Sequence, residues 1–499
     1  MTTPPKSNGA NLDRVFAGRL LARPGRGPVQ YAVSIGIAGD RIEDVSDGVS
    51  SSDHFIGGAG SLVLPALANA HDHGRGLRPI AYGAEDQPLE AWLPATYTHP
   101  SVDPYLVAGV AFSRMALGGF GSAVHCHLSR PPDIMISDAE AVARAAADVG
   151  LRIAFVVPMR DRHRMAYAKD ELVLAALDPA DREDVLVNWV RDLAPIDEQI
   201  ACVDEIAARF NTEMFQVQYG PVGVEFCSDE MLEKIAQAAQ SSGRRIHMHL
   251  QETKYQRQWA DGAFPKGIIH HLDQIGLLTP GLTVAHGVWL RPAECEILAE
   301  RGVILSVNTS SNLRLRSGIA PVADLVKAGV ELAFGLDAAS IDDDDDGLRE
   351  MRLTQLLHAG AGFDEVLSPA TMFDAAMVTG PRAVTGRDDF GVIAPGRPAD
   401  LIITDFDAMA ADLIDGLCQE ETVFLSRAKA QLIEAVIVAG RCIVKDRNVT
   451  GFDLAAASKE LKAQAAGHGD KLRALRPLLK RYQQGLKNFY LSGGHIIQP

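Results

Sequence analysis

Nowhere in this 499-residue chain does an uninterrupted apolar run reach the length of a membrane span, and no apolar stretch follows the basic residue of Met1-Thr-Thr-Pro-Pro-Lys-Ser. A membrane or exported protein is therefore not expected, and the chain reads as cytoplasmic. Cysteine is scarce: six residues, none in Cys-x-x-Cys spacing, fit a reduced compartment better than a disulfide framework or a structural zinc knuckle. Positive charge is in deficit. The net charge of −16, without any extended basic run, argues against a nucleic-acid partner, which needs clustered cations to meet phosphates. Internal repeats are absent, and the run Asp342 to Asp346 is the one low-complexity segment, read as a solvated loop. What is there, 47% apolar and 22% charged residues, is the composition of a globular enzyme too long for one small core.

Between residues 62 and 340 short apolar runs alternate with longer helical patterns. Eight strand-like runs can be counted, at 62–73, 121–127, 152–161, 214–222, 245–252, 282–290, 303–311 and 331–340. Helical stretches at 137–149, 197–210 and 228–239 lie between them, with Ser137 and Ser228 as N-caps followed by acids. This rhythm predicts an α/β fold, a (β/α)8 TIM-like barrel with its active site at the strands' C-terminal ends. The flanks carry strand patterns at 14–21, 29–45 (with a turn at Gly39-Asp40), 400–405 and 433–441, and neither could bury a core alone. They are expected to pair into one small β-sandwich around the barrel. The expected division is 1–61 and 391–452 for the two parts of the sandwich, 62–390 for the barrel, and 453–499 for a helical extension rich in Ala, Lys and Leu.

The chemistry begins where an apolar run ends in His71-Asp72-His73. Strand side chains alternate, so both imidazoles project to one side while Asp72 points away. Further candidates end three other strands: His247, His249 and Glu252; His286; and Asp337. One histidine at a strand end is more often structural than a ligand, but several converging with an aspartate reverse those odds. A mixed nitrogen and oxygen set with an open position suits catalytic Zn2+ or Fe2+.

At these residues the chain resembles the amidohydrolase superfamily, in the branch of triazine hydrolases, guanine deaminases and S-adenosylhomocysteine-type deaminases. Pro65-Ala-Leu-Ala-Asn-Ala-His-Asp-His looks like the opening motif, His249-Leu-Gln-Glu-Thr the strand-5 motif, and Val284-Ala-His-Gly-Val-Trp-Leu the strand-6 motif. Asn308-Thr-Ser-Ser-Asn-Leu-Arg-Leu-Arg-Ser-Gly-Ile-Ala-Pro followed by Gly335-Leu-Asp-Ala-Ala-Ser is similar to the approach to the strand-8 aspartate, and Phe390-Gly-Val-Ile-Ala-Pro-Gly-Arg-Pro-Ala-Asp-Leu-Ile to the return into the sandwich. No lysine aligns with the bridging residue of binuclear relatives, so the resemblance implies one divalent ion, Zn2+ ahead of Fe2+. It implies His71, His73, His249 and Asp337 as ligands, with His247 spare. It also implies catalytic roles for Asp337 as proton acceptor, Glu252 as the group moving a proton to a ring nitrogen or departing amine, and His286 against the reacting oxygen.

Where substrate would be read, the chain departs from the family. Gln216-Val-Gln218-Tyr219-Gly-Pro stands where many relatives carry a strand-4 histidine, strand 7 ends in Asn308-Thr309, and strand 2 ends in His125-Cys-His127. Candidate substrate contacts are Arg75, Gln218, Tyr219, His125, His127 and Asn308. Arg75 and Arg78 either hold an anionic substrate or, the heavier reading, cap their loop or pair with local acids. His270-His271, on a helix, reads as surface or packing. The expected function is metal-dependent hydrolysis of a non-peptide C–N bond, above all deamination of an N-heterocyclic small molecule. Cyclic or acyclic amide hydrolysis, or displacement of another leaving group, uses the same nucleophile. A non-catalytic scaffold barrel ranks below both. The expected partner is a small molecule, with neither nucleic acid nor membrane, and a homo-oligomer is compatible with the family.

Overall fold

A computed structural model describes residues 14–48, 55–414 and 416–497. The chain opens with β1 (Arg14–Leu20), β2 (Gln30–Ala38), β3 (Arg41–Asp47) and β4 (Phe55–Pro65). Eight barrel strands follow: β5 (Leu67–Asn69), β6 (Phe120–Cys126), β7 (Arg152–Met159), β8 (Phe215–Pro221), β9 (Ile246–Leu250), β10 (Leu282–His286), β11 (Ile304–Val307) and β12 (Glu331–Phe334). A two-residue hairpin, β13 (Gly360–Ala361) and β14 (Asp364–Glu365), precedes β15 (Leu401–Asp405), β16 (Ile433–Val438), β17 (Arg441–Lys445) and β18 (Asn448–Val449).

The strands β5 to β12 pair in sequence order and in parallel, the (β/α)8 arrangement the alternation predicts. The ring is completed where Ala70 N–H donates to Phe334 O and Asp337 N–H to His71 O, both at 2.9 Å. Strands β6, β10 and β11 are buried along their whole length and are mostly apolar without alternation, as strands covered on both faces are. The interior is filled partly by the helix Gly380–Thr385, whose Ala383 and Val384 pack among Ala70, Ala333, Val124 and Ala154. Its Arg382 pairs with Glu331, the first residue of β12, so this plug closes the N-terminal end and leaves the opposite mouth open.

The flanks form one sheet in the order β18-β17-β16-β15-β4-β1-β2-β3. It folds over a separate core that includes Val15, Ile35, Val63, Ile403 and Ile437. At the expected Gly39-Asp40 turn, Asp40 O accepts from Ala399 N–H (2.9 Å), bringing the two halves together. The apolar run that begins at Leu62 is shared between the two sheets. Residues 62–65 pair with β15 as the end of β4, and after Ala66 the chain enters the barrel as β5. Periodicity cannot see that break, because both sheets bury the run.

Among the helices, Ser228 is an N-cap as expected, its Oγ accepting from Met231 N–H at 3.1 Å. Ser137 is not: the helix starts earlier, at Pro132, with proline in its first turn and Asp133 behind it. The predicted C-terminal helix is two, Leu454–Ala466 and Gly469–Leu491. No helix among the described residues is long and apolar enough to cross a membrane.

Candidate active site

His71 and His73 follow β5, His247 and His249 lie in β9, His286 ends β10, and Asp337 lies three residues past β12. Asp337 Oδ1 stands 3.3 Å from His71 Nε2 and 3.2 Å from His73 Nε2, and His249 Nε2 is 3.4 Å from His73 Nε2. Donor atoms of His71, His73 and His249 lie within 4.8 Å of one another, as do those of His71, His286 and Asp337. The outer nitrogens are all engaged: His73 Nδ1 with Cys126 O (3.1 Å), His249 Nδ1 with Val222 O (2.8 Å) and His71 Nδ1 with His247 Nε2 (2.8 Å). A carbonyl only accepts, so Nδ1 carries the proton in His73 and His249 and each Nε2 turns a lone pair inward. His247 is thus the support of His71, its ring stacked at 5.0 Å.

This donor set fits a divalent cation. Buried His71 Nε2 and His286 Nε2 have no hydrogen-bond partner among the described residues. Burial, above every other influence, pushes the His71 imidazole down to about 4 and holds those of His249 and His286 below their ordinary value, so the rings stay neutral. Burial works to raise the Asp337 carboxyl, but its place beside His71 and His73 keeps it well below the usual carboxylate range. Its Oδ2 accepts from Ser311 Oγ at 2.5 Å.

Glu252 is perturbed in the opposite sense. Burial, then the negative charge of Asp337, push its carboxyl well above the ordinary range, and Oε1 accepts from Ser317 Oγ (3.0 Å). Its Oε2 lies 3.7 Å from His286 Nε2. His286 Nδ1 donates to Asn312 Oδ1 at 3.0 Å, and Asn308 Nδ2 approaches the same nitrogen at 3.2 Å. Gln251, His286, Asp337 and Ala338 all have positive φ (50°, 75°, 54° and 51°), a strained backbone concentrated where strands hand side chains to the mouth. Gly335 has no freedom to be larger, since a Cβ there would stand 2.6 Å from His71 O.

A pocket of about 130 Å3 opens over these groups, walled by Trp92, Leu128, Tyr167, Val222, Phe226 and Leu315. Arg75 and His127 reach it; the other four expected substrate contacts do not. Gln218 points down the barrel, donating to Ala383 O (3.1 Å) and Val384 O (3.2 Å) of the plug. Tyr219 alternates to the outer face, its hydroxyl bonding Asp204 at 3.2 Å, and at this side Gly220, Pro221 and Val222 line the pocket instead. Asn308 stands behind His286. His125 faces a smaller adjoining cavity and bonds His127 (3.0 Å), which in turn bonds Asp138 (3.1 Å).

The aspartate run is only in part the expected solvated loop: Asp342 and Asp344 are exposed and Asp343 half-buried, each paired with an arginine. Asp345 and Asp346 are buried, Asp345 with Arg78, Asp343 with Arg314, Asp342 and Asp344 with Arg349, and Asp346 capping Arg349 N–H. His271 does pack, stacked on Phe264 at 4.4 Å. Sequence reasoning missed Ser311, Asn312 and Ser317, which hold Asp337, His286 and Glu252, although all three lie within the 308–321 motif. It also missed Trp92, for which no local pattern gave a signal.

A parallel barrel with a histidine and aspartate centre at its C-terminal mouth defines a metal-dependent hydrolase. The amidohydrolase family model matches residues 62–443, and the chain belongs to that family. It is 30% identical over 377 residues to a 5'-deoxyadenosine deaminase of Methanothermobacter thermautotrophicus, covering 74% of this chain and 80% of that one. It is 29% identical over 410 residues to a 5-methylthioadenosine/S-adenosylhomocysteine deaminase of Thermococcus sibiricus, covering 80% and 86%. Among solved structures it is similar to a zinc-bound adenosine deaminase from Xanthomonas campestris (TM-score 0.73, 23% identity, 92% of this chain and 98% of that one). The zinc complex of atrazine chlorohydrolase TrzN from Arthrobacter aurescens shares the fold at TM-score 0.75 and 22% identity, over 91% of this chain and 99% of that one.

Proposed function

We propose that the protein removes an amino group hydrolytically from an N-heterocyclic small molecule, with one divalent ion, zinc ahead of iron, held by His71, His73, His249 and Asp337. The observation that carries this reading is the convergence of His71, His73, His249 and Asp337 on one point, with Glu252 Oε2 3.7 Å from His286 Nε2 and the two buried carboxyls pushed in opposite directions, Asp337 down and Glu252 up. Paired titratable groups with diverging pKa values are how one site supplies both a base and an acid at neutral pH. An ion bound there lowers the pKa of water from about 15.7 toward about 7. Asp337 takes up the proton that the attacking water releases. Glu252 delivers its proton to the ring nitrogen next to the carbon under attack, and His286 Nε2 accepts from the hydroxyl newly placed on that carbon. Asp337 passes its proton to the amino group and the new hydroxyl returns one to Glu252 as the carbonyl forms; the C–N bond breaks, ammonia leaves, and both carboxyls are restored. The two deaminase relatives support an aminated heterocycle over a cyclic amide as substrate.

The decisive test is ammonia release across matched aminated heterocycles and cyclic amides. Chelation is expected to abolish turnover and added zinc to restore it. Asp337→Asn should keep its circular dichroism spectrum while kcat falls by about 10^2 to 10^4. Turnover that survives exhaustive chelation would overturn the reading.

A further inference from the structure

The pocket carries an unspent cation. Around the mouth, Arg78 is taken by Asp345, Arg114 donates to Gly76 O (3.0 Å), Arg130 faces Asp138 (3.7 Å) and Arg314 holds Asp86 (2.8 Å) and Asp343 (2.5 Å). Arg75, two residues past His73, makes no hydrogen bond or ion pair with any described residue, and its Nη1 is buried without a partner. Its guanidinium lies over the Trp92 ring at 4.6 Å. Stacking of that kind covers the face of the guanidinium plane and leaves the donors on its edge free.

Arg75 borders both the main pocket and the smaller cavity beside it, so a substituent on a ring in the first reaches the second. The smaller cavity, about 50 Å3 against about 130 Å3 for the main pocket, is the tighter of the two. Two further buried nitrogens on its wall, His99 Nδ1 and His125 Nδ1, have no partner among the described residues. Asp138 is the one acid among the described residues on that wall, and it is committed to His127 and Arg130. Half-buried and without a counter-ion, the Arg75 guanidinium favours a ligand that brings the missing charge.

We infer that the substrate carries a carboxylate beside its reacting ring and that the Arg75 guanidinium holds it at the entrance to this smaller cavity. The inference rests on the deaminase reading for the ring and adds the charge. It is tested without turnover, by calorimetry on the zinc-loaded protein with two matched pairs, nicotinate against nicotinamide and benzoate against benzamide. The wild type is expected to bind each acid roughly tenfold tighter than its amide. Arg75→Gln should bring the ratio within about twofold, and Arg75→Lys should keep part of it. Zinc content and circular dichroism check each variant; if Arg75→Gln fails them, Arg75→Lys carries the comparison. An acid preference undiminished in the variants puts the carboxylate on the ion and overturns the inference, as does no preference in the wild type. If no aminated heterocycle yields ammonia while the acid preference still follows Arg75, the activity reading fails and the anion site stands.

Discussion

Each imidazole at the centre is aimed by what its other nitrogen touches. Carbonyls of Cys126 and Val222 fix His73 and His249, and an imidazole, His247, does the same for His71. The same division of labour separates the two carboxyls. Asp337 stands among inward-facing imidazoles and is held well below the usual carboxylate range, whereas Glu252 is buried beside negative charge and is pushed well above it. Replacing Glu252 by Gln removes the transferable proton and keeps the shape. The expected outcome is a kcat lower by about 10^2 to 10^4 with zinc content unchanged, measured by ammonia release and metal analysis of one preparation. Loss of the metal in that variant would instead make Glu252 a ligand.

Strand ends bring these residues together only because the elements are tied to one another. Asp72, pointing away from the centre, accepts from Gly74 N–H (2.7 Å), Asn69 Nδ2 (2.8 Å) and Ala338 N–H (2.9 Å), and so fastens the end of β5 to the segment holding Asp337. The helix Thr309–Arg314 supplies Ser311 and Asn312 and is itself held by Glu350, on the helix Gly347–His358, which accepts from Ser310 N–H (2.9 Å) and Ser310 Oγ. Burial pushes the Glu350 carboxyl from 4.5 up to about 7, against the donors of Ser310. The unfolded chain therefore ionises first as pH rises, and folding stability drains between about pH 4.5 and 7. Glu350→Gln lacks that proton. Its stability relative to wild type is expected to rise across this window by about 3 kcal/mol and to level off above it. Urea unfolding midpoints at pH 5 and pH 8 check this, and a pH-independent difference would count against it.

The molecule as a whole extends beyond the family match, which ends at residue 443. The helix Gly469–Leu491 returns to the pocket wall. Its Gln483 donates to Ala91 O (2.8 Å), its Arg476 pairs with Glu85 (2.9 Å), and Tyr490 packs edge-on against Tyr167 at 5.4 Å. Tyr167 lines the pocket and donates to Glu90 at 3.1 Å, on the helix Leu89–Thr96 that also carries Trp92. Truncating the buried Tyr490 to Ala is expected to cost about 3–5 kcal/mol and to raise KM more than it lowers kcat, because the wall loosens while the centre does not. Chemical denaturation and steady-state kinetics on the same variant measure both, and an unchanged KM would detach the helix from the pocket.

Barrel, flanking strands and the converging histidines with Asp337 were legible in the chain because each rests on local pattern. Strands alternate, parallel strands read as apolar runs, and a motif places its residues at a strand's end whatever the rest of the molecule does. Other features depended on partners remote in sequence. The direction of Gln218 and Tyr219 turned on which face of β8 met the plug, and the fate of the aspartate run on arginines at 78, 314 and 349. Arg75 and Arg78 are alike as letters three positions apart, yet one meets Asp345, a residue 267 positions away, and the other meets no acid among the described residues. Burial and counter-charge are properties of the folded surroundings, so only the assembled barrel sorted the guanidinium that closes an ion pair from the one left open to a ligand.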